Sequence, residues 1–231
     1  MTKHLDRDMQ RLHRDILALC AQVEEMIDKA GRSLQDGRLD LAEAVIRQDE
    51  LVDAQEVWIE EECLKVLALH HPVATDLRRI ATVIKINNDL ERIADLAVGI
   101  AQRAIGLGDY RNFAIPVGVA PMVAKVNKML RDALDAFINM EVEGAKQVIL
   151  SDGEVDELHV DLIAKLRQTM QSDAQLVAPA LHCFTAVRHL ERIADLATNI
   201  AEDAIYMVSG DIVRHRGILA GRPDERTTKQ W

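Results

Sequence analysis

The sequence predicts an all-α protein built as two tandem three-helix bundles related by internal duplication. Three observations carry this reading: turn formers are scarce, apolar residues recur at steps of three and four, and one motif returns after 100 residues. Of 231 residues, eleven are Gly and five are Pro, well below the usual ~12 % of an average protein. Only seven are aromatic: Trp58, Trp231, Tyr110, Tyr206, Phe113, Phe137 and Phe184. An all-β sandwich or barrel, which needs many turns and β-formers, is excluded. So is a disordered chain, because 48 % of the residues are hydrophobic and can fill a core.

The first helix is read from Leu5, Met9, Leu12, Ile16, Leu19, Val23, Met26 and Ile27, with a stop over residues 33–38 that includes Gly37. The second runs from Leu39 to His70 and carries Val45, Val52, Ile59, Val66 and Leu67 on its apolar side. His71-Pro72 ends it, since Pro lacks a donor and disfavours helix in the residue before it. The third runs from Ala74 to Leu107 and ends near Gly106 and Gly108. A linker around Pro116 and Pro121 follows, and then helices over 119–139, 142–171 and 176–210. Helices of some 30 residues are about 45 Å long and need neighbours, which an antiparallel bundle supplies. The expected division is 1–112 for the first repeat, 113–216 for the second and 217–231 for a mobile C-terminal tail without apolar period.

Residues 89–105 read DLERIADLAVGIAQRAI and residues 189–205 read HLERIADLATNIAEDAI, identical at 12 of 17 positions. Two unrelated amphipathic helices rarely agree so far, so a helical unit has been duplicated. A weaker echo links Val45-Ile46-Arg47-Gln48-Asp49 and Val52-Asp53 to Val148-Ile149-Leu150-Ser151-Asp152 and Val155-Asp156.

The net charge is −10, from 28 Lys+Arg against 38 Asp+Glu. Such a balance repels a phosphate backbone and argues against nucleic acid as a partner, while favouring cations. Cys20, Cys63 and Cys183 are scattered and form no Cys-x-x-Cys pair, so a reducing compartment is expected rather than a disulfide framework. No signal-like run opens the sequence, and the apolar stretch 113–124 is short and broken by proline. A soluble, cytoplasmic protein without membrane insertion is expected.

Four acid pairs at i,i+4 spacing fall at matching places: Asp49/Asp53 and Glu91/Asp95, then Asp152/Asp156 and Glu191/Asp195. Each pair shares one helix face, about 6 Å apart, where like charges cost a few tenths of a kcal/mol. In an antiparallel hairpin, residues at one height have numbers of constant total. Asp49 with Asp95 and Asp53 with Glu91 both total 144, centred on Pro72. Asp152 with Asp195 and Asp156 with Glu191 both total 347, centred on Asp173-Ala174. Each hairpin thus sets four carboxyls at one level, roughly 30 Å from its tip. Four such groups share protons, find Lys or Arg partners, or bind a hard cation such as iron, manganese, magnesium or zinc. The plainer alternative is a solvated flank locally neutralised by Arg92 and Arg192.

Other candidates are weaker. No Glu-x-x-His of di-iron bundles occurs; the nearest is Asp156 to His159, whose counterpart in the first repeat is Glu56. His182 and His189 read as ordinary histidines of the last helix, and His70-His71 as a helix end. No P-loop, nucleophile elbow or dinucleotide fingerprint is present.

The segments Pro72-Val73-Ala74, Asp76-Leu77-Arg78-Arg79, Leu90-Glu91-Arg92-Ile93-Ala94-Asp95 and 190–215 resemble the PhoU family of phosphate-uptake regulators. The resemblance spans residues 1–216 and both repeats. It implies a non-enzymatic cytoplasmic protein that restrains phosphate uptake and phosphate-starvation signalling. The partners it implies are the phosphate ABC transporter, its ATPase and a phosphate-sensing histidine kinase, with homodimers common in the family. It also implies multinuclear metal clusters on the acid motifs. By position, Glu91, Asp95, Glu191 and Asp195 match the family's core motif, and Asp49, Asp53, Asp152 and Asp156 its partner helix. The sequence departs from that pattern at Ala94 and Ala194, where Gly is usual, and at Leu96 and Leu196, where His or Tyr is common. The competing readings are a metal-carboxylate bundle enzyme of redox or phosphoester chemistry, and a purely structural helical scaffold.

Overall fold

The computed structural model describes residues 3–110 and 112–213; the expected tail, 217–231, lies outside the described residues. Six helices follow one another: α1 (Lys3–Asp36), α2 (Leu39–His70), α3 (Ala74–Leu107), α4 (Val119–Asn139), α5 (Val142–Ser172) and α6 (Val177–Ser209). Among the described residues there is no strand, so the all-α reading holds, with helix boundaries within a residue or two of those expected except that α1 continues to Asp36, four residues into the stretch read as its stop.

The stops follow from backbone chemistry. Gly37 ends α1 at φ +65°, a conformation costly for any residue with a Cβ. His71 and Met140 close α2 and α4 in the left-handed region, each returning its N–H to a carbonyl of the last turn. Two details refine the expectation. Pro121, read both as linker and as part of the 119–139 helix, lies inside the first turn of α4, where its missing N–H is an orphan anyway. Residues Ala174–Leu176 form a separate 3₁₀ turn before α6, because the Asp173 side chain accepts from the Gln175 N–H at 2.8 Å.

Within each repeat the helices run up, down and up. Lys29–Gln48 and Gln22–Gln55 join α1 to α2, and Asn87 Nδ2 donates to the Glu56 carbonyl at 2.9 Å from α3 to α2. The apolar stripe of α1 is buried as predicted, except that Met9 is only partly covered.

The two repeats join along α3 against α6, with α1 against α4 beside them. Three contacts fix the α3–α6 register. Lys85 Nζ meets Asp203 Oδ1 at 2.9 Å, and the imidazoles of His189 and His182 lie on Gly99 and Gly106. In each pair the residue numbers total 288, so the helices are antiparallel. By the same total, Ala94 faces Ala194, its own counterpart, and the internal two-fold axis of the duplication passes between them. Ala94, Ala97, Ala101 and Ala104 on α3, and Ala194, Ala197, Ala201 and Ala204 on α6, are all buried. Small side chains at steps of three and four let the two helices approach closely. The alanine methyls standing where the family usually has Gly are accommodated in this seam.

All three cysteines are free and buried, and burial pushes each thiol up to about 12. Among the described residues no helix is long and apolar enough to cross a membrane.

Two glycines test the packing in opposite directions. A Cβ on Gly31 of α1 would sit 2.4 Å from a γ-methyl of Val123 on α4, a stiff β-branched side chain. A Cβ on Gly153 of α5 would meet nothing within 4 Å. Gly153→Ala is expected to raise stability by about 0.5–1 kcal/mol. Gly31→Ala is expected to lower it, since overpacking of about 1–3 kcal/mol exceeds that helix gain. Denaturant unfolding of the two variants checks both; a stabilised Gly31→Ala protein would refute the α1–α4 contact.

Candidate functional site: two carboxylate clusters

The repeat places its acids alike in the two hairpins. Asp49, Glu91, Asp152 and Glu191 are half-buried, whereas Asp53, Asp95, Asp156 and Asp195 are exposed. The half-buried acids sit next to the core: Asp49 follows Val45 and precedes Val52, and Glu91 lies between Leu90 and Ile93, all four apolar residues fully buried. The helical period that buries those side chains fixes the carboxyls at the edge of the bundle.

The acids of each hairpin lie close enough to act on one another's protonation. Burial raises the Asp49 carboxyl above its usual range, and the charges of Asp53 and Asp95 raise it further. Burial does the same to Glu91, helped by Asp95, Glu56, Asp53 and Asp49. In the second hairpin burial, Asp156 and Asp195 push Asp152 up to about 6. Asp195, exposed overall but partly desolvated at its carboxyl, is raised by that desolvation and by Glu191 and Asp156, with Arg192 and His159 pulling the other way. All eight predicted acids therefore fall into two sets of four, one per repeat. None of them forms an ion pair with Lys or Arg among the described residues.

The clusters extend beyond the predicted eight, and here they diverge. Glu56 joins the first set: burial raises it, Glu60 and Asp53 add to that, and Asn87 donates to its Oε1 at 3.3 Å. The corresponding place in the second set holds His159, whose Nε2 is buried without a hydrogen-bond partner. Sequence spacing had paired Glu56 with His159, but only the hairpin register shows both facing the acids. Buried Asn87 was not foreseen; a polar residue inside an apolar period is its only sequence signal. The expected neutralisation by arginine is partial. Arg92 turns to Asp89 at 3.8 Å, and Arg192 stands beside Asp195.

The donor chemistry of both sets is that of a hard-cation site: carboxylate oxygens from two facing helices, with Asp49 Oδ1 buried and lacking any hydrogen bond. As the side chains stand, no three His, Cys, Asp or Glu groups among the described residues converge on a point that holds a metal ion. With Leu96 and Leu196 in the motif, no nitrogen ligand is offered at those positions.

The raised acids give a pH signature. Asp152 is protonated more readily folded than unfolded, so its stabilising contribution is complete below the ordinary 3.8 and is lost as pH rises toward about 6. Asp152→Asn is expected to be more stable than the unmodified protein at pH 7.5 by about 1 kcal/mol. That advantage is expected to vanish at pH 4. Denaturant midpoints at the two pH values check this, and an advantage equal at both would contradict it.

Comparison with known proteins agrees with this architecture. The PhoU domain matches twice, at residues 16–104 and 119–204. A protein of Aquifex aeolicus, named a phosphate-specific transport system accessory protein PhoU homolog, is 38% identical over 214 residues, covering 93% of this chain and 97% of its own. The crystal structure of PhoU from Pseudomonas aeruginosa superposes with a TM-score of 0.85 at 35% identity, covering 89% of this chain and 99% of that one. The phosphate transport system regulatory protein PhoU from Streptococcus pneumoniae gives a TM-score of 0.84 at 27% identity, over 90% and 99% of the two chains. The PhoU domain matched in both repeats, with similar proteins across nearly the whole chain, makes this chain a member of the PhoU family.

Proposed function

We propose that this protein regulates phosphate homeostasis in the cytoplasm, restraining phosphate uptake and phosphate-starvation signalling. It acts as an accessory of a phosphate ABC transporter, engages the transporter's ATPase, and couples transport to a phosphate-sensing histidine kinase. It works as a homodimeric, non-enzymatic adaptor. The relatives' names as accessory or regulatory proteins of phosphate transport support the first part of this reading. The observation that carries the mechanism is the pair of carboxylate sets without Lys or Arg ion partners. Burial and neighbouring carboxylates raise Asp49, Glu91, Asp152 and Asp195 above the usual carboxylate range, so protons or hard divalent cations set the charge of two bundle faces. Side-chain rotation about the facing helices brings oxygens together on a cation. A face that changes by several charges attracts or repels a docking partner, a local electrostatic switch with a distant readout.

Deleting the gene is expected to raise phosphate uptake and the activity of a phosphate-responsive reporter in phosphate-rich medium; unchanged values would overturn the regulatory reading. Cation binding is tested separately. Protein purified gently without chelator is expected to carry iron, zinc, manganese or magnesium by elemental analysis. A Glu91→Gln/Glu191→Gln variant is expected to carry several-fold less, and equal metal content in the two would remove the cations from the mechanism.

A further inference from the structure

On the internal two-fold axis, where α3 crosses α6, there is a pocket of about 390 Å³. That is within the ~300–1,000 Å³ range of small-molecule sites. Arg92, Asp95 and Leu96 line it from α3, and their counterparts Arg192, Asp195 and Leu196 line it from α6. One further group, Asn199, has no equal in the other repeat, because its counterpart is Gly99. The duplication thus brings two guanidinium groups and two carboxyls, one of each per repeat, to the mouth of one cavity. This pocket is separate from the interhelical space within each hairpin, although Asp95 and Asp195 border both.

The chemistry of the lining selects its ligand. Arginine only donates hydrogen bonds and grips tetrahedral oxyanions through two parallel N–H groups. Arg92 is held loosely by Asp89, at 3.8 Å, beyond hydrogen-bond distance. An ionised carboxylate only accepts. A ligand that satisfies both must present ionised oxygens to the arginines and an O–H to the aspartates. Inorganic phosphate near neutral pH keeps one or two of its protons and does this. Sulfate has none to give, so each of its oxygens turned toward Asp95 or Asp195 meets another acceptor and stays unpaired. Within the lining the two guanidinium groups and two carboxyls nearly cancel, and the remaining acids of both sets lie behind the aspartates, so charge favours neither anion and the hydrogen-bond pattern decides between them.

We propose that this pocket binds inorganic phosphate, with Arg92 and Arg192 holding its ionised oxygens, Asp95 and Asp195 accepting its remaining protons, and Asn199 completing the shell, so that sulfate is rejected. The choice of phosphate among protonated oxyanions rests on the regulatory reading above; the anion chemistry rests on the pocket alone. A ligand at this place touches both repeats at their axis, and its occupancy is sensed by both acid sets through the shared Asp95 and Asp195. Occupancy by a cation at those aspartates and occupancy by phosphate are therefore coupled, as any two ligands sharing groups must be.

The test is isothermal titration of the full chain, freed of metal with chelator at pH 7, with inorganic phosphate and with sulfate. The unmodified protein is expected to bind phosphate at least tenfold more tightly than sulfate. Arg92→Gln/Arg192→Gln, whose folding is checked by circular dichroism, is expected to lose at least tenfold in phosphate affinity. Asp95→Asn/Asp195→Asn, which supplies N–H donors, is expected to bring sulfate to within threefold of phosphate. Equal affinity of the unmodified protein for the two anions, no phosphate binding, or an arginine variant that binds as before would overturn the proposal. If phosphate fails to bind while gene deletion still derepresses uptake, this site falls and the regulatory reading stands. If phosphate binds as described and deletion changes nothing, the reverse holds.

Discussion

The whole molecule depends on one close contact, that of α3 with α6 about the axis between Ala94 and Ala194. A duplicated unit of three helices leaves one face of its last helix open, and the alanines at 94, 97, 101 and 104 and at 194, 197, 201 and 204 let each open face bury itself against the other. Perfect two-fold symmetry would place like side chains opposite like. The five differences between the motifs fall away from the axis, at 89, 98, 99, 102 and 103 and their counterparts. There the partners have become complementary: imidazole on glycine at His189 and Gly99, and ammonium on carboxylate at Lys85 and Asp203. Identity at the centre and complementarity at the ends are what a fused pair of copies requires.

That seam also gives the carboxylates their setting. Each acid set sits on an α2–α3 or α5–α6 hairpin, and α3 and α6 are the two helices pressed together. Asp95 and Asp195, the exposed members of the core motif, therefore border one shared pocket instead of facing solvent on opposite sides. Like charges at i,i+4 weaken a helix locally by a few tenths of a kcal/mol. Here the same arrangement occurs four times and is carried by a scaffold whose stability comes from buried Leu, Ile, Val and Ala. Apolar burial fixes the carboxyls at the bundle edge whatever their charge, which leaves protonation, cations and anions free to set that charge.

Much of this was legible in the sequence. The apolar period marks the helices, Gly37 and Pro72 mark the turns, and the constant totals of 144 and 347 set all eight acids at matched heights. Those inferences needed only local periodicity and antiparallel pairing within a hairpin. What was hidden was pairing across the duplication. Helix periodicity does not say which alanine stripe meets which, so neither the α3–α6 register nor the meeting of Arg92 with Arg192 at one pocket was visible. One small difference has the same cause at smaller scale. The Asp173 cap winds residues 174–176 into a separate 3₁₀ turn, so Leu176, which the apolar period assigns to the last helix, falls outside α6.

The central claim is that the charge of the two acid sets, and not the helical scaffold by itself, carries regulation. It is tested most directly by neutralising Asp49, Asp53, Glu91, Asp95, Asp152, Asp156, Glu191 and Asp195 together to Asn or Gln at the native locus and measuring a phosphate-responsive reporter in phosphate-rich medium, with protein level and helix content matched to the unmodified chain. The account predicts a reporter as active as in the gene deletion. Repression equal to that of the unmodified protein would contradict it.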